Sequence, residues 1–69
     1  MSDHVYKKVE LVGSSATSIE DGIQNAIGTA AKTLKHLEWF KVSRIRGHIV
    51  DGKVGHYQVV LKVGFRIKD

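Results

Sequence analysis

One apolar stripe limits what this chain can become. Ile19, Ile23, Ala26, Ile27, Ala30, Ala31, Leu34 and Leu37 recur at helical spacing and share one face. The spacing predicts a long amphipathic helix from Ile19 to Leu37. Ser18-Ile19-Glu20-Asp21 fits a capping box, in which the Ser hydroxyl accepts from an orphan N–H and an acidic side chain returns the bond. Glu20 and Asp21 at the start, and Lys32, Lys35 and His36 in the last turns, suit the helix dipole. Gly22 and Gly28 each cost up to about 1 kcal/mol against alanine inside a helix, and they read as points of close approach by a neighbour. A stripe this rich in alanine packs tightly against a sheet.

The rest of the chain reads as strand. Val5 to Val12 alternates, with Val5, Val9 and Leu11 on one face and Lys8 and Glu10 on the other, and Gly13-Ser14-Ser15 breaks it. Val42 to Val50 and Val54 to Ile67 form two more strands. Asp51-Gly52 between them is a hairpin signal, because both central residues of a type I′ turn need positive φ. Tyr57, Val59, Leu61, Val63, Phe65 and Ile67 face the helix, and the residues between them face away. In the second strand Phe40 and Val42 have even parity but Ile45 and Ile49 odd, so a bulge near Ser43 is needed to bring them to one side. A three-residue loop would pair Val50 with Val54, Arg46 with Gln58 and His48 with His56. A two-residue loop would change every pair. The order is β-α-β-β, an α+β fold with a three-stranded antiparallel sheet packed on one helix, in a single domain over residues 1–69.

Such a domain is short of core. Below ~70–80 residues one core seldom stabilises a fold by more than a few kcal/mol, and this chain has 69 residues. With no cysteine, disulfides and thiolate zinc sites are excluded, which fits a reducing cytoplasm. One helix covers one side of the sheet, so strand edges stay open and a closed homo-oligomer is expected. No apolar run reaches membrane-spanning length and no signal peptide opens the chain, so no membrane partner is expected. The net charge of +4 suits anionic partners, either phosphorylated cofactors or nucleic acid. RNA-binding modules of this size show paired strand aromatics, which are not found here, or a G-x-x-G loop between helices, and the one G-x-x-G match, Gly52-Lys53-Val54-Gly55, falls in the hairpin instead. Ser14, Ser15 and Ser18 have no base nearby, and the phosphate-binding loops G-x-G-x-x-G and G-x-x-x-x-G-K-[ST] are absent, so no catalytic residue and no enzyme activity are expected.

Binding residues are easier to find. Trp39, the only tryptophan, falls where the helix is expected to give way to the second strand. An indole at the edge of a tiny domain is an oligomer contact or a stacking platform for a flat ligand. Gln58 points away from the core and offers a donor and an acceptor, fit to read the edge of a flavin or a base. Arg46 can clamp a phosphate or polarise a ring carbonyl, or stand as a solvated strand arginine. His48 and His56 flank the hairpin, but two imidazoles without further ligands make no zinc site, so no metal is expected.

From end to end the chain resembles a dodecin, a small flavin-binding protein. The likeness is carried by Val5-Tyr6-Lys7-Lys8-Val9-Glu10-Leu11-Val12-Gly13-Ser14-Ser15, Ser18-Ile19-Glu20-Asp21, Leu37-Glu38-Trp39-Phe40, Arg46-Gly47 and Tyr57-Gln58-Val59-Val60-Leu61-Lys62-Val63-Gly64-Phe65. The resemblance implies a hollow homododecamer without catalytic activity that stores flavin and quenches its excited state. Pairs of flavins would stack between symmetry-related Trp39 side chains, with Gln58 bonding the ring system and Arg46 near the ligand. The basic charge matches bacterial relatives, which usually take FMN, with riboflavin a further flavin of the family. Some of these also bind coenzyme A, for which Tyr6, Lys32 and Arg66 would be the contacts. A basic structural or nucleic-acid-associated oligomer without cofactor is the alternative reading.

Overall fold

A computed structural model describes residues 3–67. Strand β1 (Tyr6–Ser15) is followed by helix α1 (Ile19–Ala30) and by the long strands β2 (Leu37–Val50) and β3 (Lys53–Arg66). The sheet is antiparallel with order β1-β3-β2, so the last strand in sequence is the central one. Its apolar face holds the core: Val59, Leu61 and Val63 are buried beneath Ala26, with Val9, Leu11, Ile19, Ile23, Ile27, Leu37 and Val42 packed around them. The β-α-β-β order, the antiparallel sheet and the single covering helix are as expected.

The helix begins as predicted but through a different bond set. Ser18, in extended conformation, accepts from the Asp21 N–H at 3.0 Å. The Asp21 carboxylate does not return to the Ser18 backbone; it accepts from the Ser15 hydroxyl at 2.7 Å. Ser15 Oγ in turn accepts from the Thr17 and Ser18 N–H groups. The serine-rich turn therefore uses its polar groups to start the helix.

The helix ends seven residues earlier than its stripe predicts, at Ala30 rather than Leu37. The Lys32 and Thr33 N–H groups reach back only three residues, to Thr29 and Ala30, which tightens the coil. His36 then takes φ +64, a left-handed conformation that stops helical winding. Leu37 reaches the core from a strand, paired with Phe65. Lys32, Lys35 and His36 thus lie outside α1, whose last turn carries no basic residue. Ala31, expected in the stripe, is the exposed C-cap.

Small residues set how closely the layers approach. Gly22, Ala26 and Ala30 form the buried row of α1. A Cβ on Gly13 would collide with the Gly22 carbonyl and come within 2.9 Å of the Ala26 methyl. The close approach is thus permitted by the missing side chain of Gly13 and not by that of Gly22, where an added Cβ would meet Val59 at 3.4 Å and the Gly13 carbonyl oxygen at 3.5 Å, ordinary contact. Gly28 marks no close approach either, since a Cβ there would meet only the Gln24 side chain at 4.0 Å.

The hairpin keeps two expectations and overturns one. Asp51 and Gly52 have φ +53 and +74, as a type I′ turn requires. A bulge falls between Val42 and Arg44, at Ser43. The loop has two residues, with Val50 opposite Lys53, yet Arg46 still faces Gln58 and His48 still faces His56. A second irregularity, between His48 and Ile49, leaves Gly55 unpaired and restores the register. Val5, expected on the buried face, lies before β1 and is 57% exposed.

Because α1 has 12 residues, it spans about 18 Å, whereas the 14-residue strands of the hairpin run about 46 Å. It packs on β1 and β3. Phe40, Ile45, Ile49 and Val54 are left exposed, Ile49 at 75%.

Candidate functional site

The sheet face turned away from α1 can be read as rows, since residues directly paired across strands project to the same side. At one end Tyr6 stands opposite Arg66, and the next row is Lys8, Gly64 and Trp39. Glu10, Lys62 and Lys41 follow, then Val12, Val60 and Arg44. Ser14, Gln58 and Arg46 make the fifth row, and His56 with His48 the last. Lys8, Lys41, Arg44, Arg46, Lys62 and Arg66 thus give this face a positive field, with Glu10 set among them.

Trp39 is the third residue of β2, not a helix terminus, and its indole lies over Gly64. Gly64 is buried beneath it, while the indole itself remains 39% exposed. One side of the ring thus rests on the central strand and the rest is open. Toward the helix side, Ile27, Leu37, Phe40 and Val63 complete a shallow apolar pocket of about 150 Å³ beside Trp39.

Arg46 and Gln58 are direct cross-strand neighbours, as the sequence suggested. They are not beside their own Trp39. Gln58 and Gly64 are six positions apart on β3, about 20 Å in an extended strand. One subunit therefore offers a stacking surface at one end and an amide–guanidinium pair at the other.

Tyr6 and Arg66 are brought together, and Glu38, which sequence reasoning passed over, joins them. Its carboxylate lies 3.9 Å from the Arg66 guanidinium and near enough to the Tyr6 hydroxyl to act on its titration. Desolvation chiefly, then the charge and hydrogen bond of Glu38, hold the Tyr6 phenol above its ordinary range, and Arg66 opposes them. Lys32 stands on the exposed turn after α1. His48 and His56 stack with centroids 5.4 Å apart and planes 4° apart. Parallel stacked rings aim their in-plane lone pairs past each other rather than at a common ion. No group of three metal-ligating side chains occurs among the described residues, and none of their helices is long and apolar enough to cross a membrane.

Fold and open face together define a small α+β protein whose sheet is covered on one side and presents an aromatic and cations on the other. A family model described as Dodecin matches residues 5–68. A dodecin of Thermus thermophilus is 57% identical over 65 residues, covering 94% of each chain. A crystal structure of a T. thermophilus protein matches with TM-score 0.93 at 55% identity, over 97% of this chain and 98% of that one. The dodecin of Streptomyces coelicolor also gives 0.93, at 45% identity, over 100% and 99%. The chain belongs to the dodecin family.

Proposed function

We propose that this chain is a non-enzymatic flavin-binding protein that assembles as a hollow homododecamer and stores FMN, or riboflavin, in a photoprotected state. The observation that carries the reading is the seat of Trp39: an indole held against its own sheet with the remainder of its surface free to stack on a flat ring. Two such indoles facing each other across a symmetry axis would hold a pair of flavins between them, and electron transfer from the indoles would quench the excited state. Since Gln58 lies about 20 Å from its own Trp39 along the sheet, the amide that bonds a given ring comes from another copy. Arg46 beside it adds a paired donor. The site is thus complete only in the assembly.

Self-association has its own support. The apolar side of β2 past Val42 is left uncovered, with Ile45 and Ile49 exposed, and edge strands with bare apolar faces invite a second copy. The positive field on the open face favours the phosphate-bearing flavin. Coenzyme A would meet Tyr6 and Arg66 at the end of that face, with Lys32 as the third contact. A cytoplasmic location is in keeping with a flavin store.

The test is direct. Protein purified without added flavin should be yellow, and added FMN should lose nearly all its emission on binding, with sedimentation giving twelve subunits. A monomer at micromolar concentration, or full FMN emission in its presence, would reject the reading.

A further inference from the structure

Gly64 lies inside the central strand, two residues before its end at Arg66, where a residue without a side chain weakens a sheet unless something approaches its backbone closely. Trp39, its cross-strand partner, is what approaches. An added Cβ would fall against Cε2, Cζ2 and Nε1 of the indole, too close for any of them to stay in place. No flexible tip is involved: the obstacle is the fused ring, which moves only as a whole. Gly64 is buried although it faces the open side, and the ring that buries it is the stacking surface.

We infer that Gly64 is a positioning residue of the flavin site, whose missing Cβ sets how deep the indole sits and so the width of the gap between two facing indoles. This rests on the flavin reading above. A methyl at 64 lifts or turns the ring, and in a symmetric site the error enters from both sides. A stack of aromatic rings tolerates little change in spacing, since a gap of even half an ångström forfeits much of the dispersion contact. Gly64 touches no ligand; it acts through Trp39.

The experiment compares wild type, Gly64→Ala, Trp39→Ala and the double variant. Each is followed by sedimentation, by near-ultraviolet circular dichroism and by FMN titration through emission. With a single tryptophan in the chain, the indole bands report Trp39. Gly64→Ala should keep the subunit number, change those bands before any flavin is added, and weaken FMN binding at least tenfold. Adding Gly64→Ala to Trp39→Ala should lower neither melting temperature nor assembly, because the ring it collides with is gone. Unchanged indole bands and FMN affinity within twofold of wild type would overturn the inference while leaving the flavin reading intact. Should Gly64→Ala fail to assemble, recovery in the double variant upholds the ring contact, and failure there overturns it. Wild type that leaves FMN unquenched defeats the flavin reading itself, a result read before any variant.

Discussion

Arg46 stands directly across from Gln58 in the β2–β3 ladder, on the same face as Trp39 but at the opposite end of the sheet. Adjacent side chains on neighbouring strands act on the same part of a ligand. Gln58→Ala and Arg46→Ala are each expected to weaken FMN binding by about tenfold, near the value of one hydrogen bond to a charged or strongly polar group. The double variant should lose less than the product of the two, since groups in contact couple. Titration of all three variants measures that coupling.

Trp39→Ala removes the platform without touching the core, because the indole lies on the open face. Binding should weaken, and the FMN that still binds should regain emission. Stacking of one aromatic pair is worth about 0.5–1.5 kcal/mol beyond burial. Persistent quenching in this variant would remove the indole from the photophysics.

The junction of Gly13 with α1 is a stability prediction free of any ligand. Gly13→Ala places a methyl against the Gly22 carbonyl and the Ala26 methyl, where backbone and not a flexible tip must move. Overpacking of this kind costs about 1–3 kcal/mol. Gly28→Ala, which meets almost nothing, should be neutral or stabilise by up to about 1 kcal/mol. Paired thermal melts of the two variants test the contrast.

Tyr6 gives a pH dependence with a defined sign. Its folded-state pKa is raised above the unfolded value, so the stability tied to the protonated phenol is fully present below about pH 10. It is lost as pH rises through the folded-state value. In a Tyr57→Phe background Tyr6 is the sole tyrosine, and its ultraviolet titration can be followed alone. Glu38→Gln removes the nearby negative charge and should shift that titration to lower pH.

What could be read in advance follows from how local each signal is. The start of α1, the turn at Asp51-Gly52 and the bulge at Ser43 are written in adjacent residues or in parity. The end of α1 is not. Ala31, Leu34 and Leu37 continue the helical spacing, but pairing of Leu37 with Phe65 and a positive φ at His36, which no glycine announces, override it. Trp39, Gln58 and Arg46 were visible as residue types, whereas their distances depend on a register with three irregularities. Gly64 carried a usable sign, a glycine within the alternating part of a strand, though only the cross-strand pairing shows whose ring it serves.

The short helix has a consequence for how the protein comes to exist. A single copy that has made all its own contacts still leaves Ile45, Ile49 and Val54 wet, so its folding is not complete within one molecule. Melting temperature and refolding yield then become functions of subunit concentration. Cells that make little of the chain and cells that make much of it would convert different fractions of it into finished assemblies.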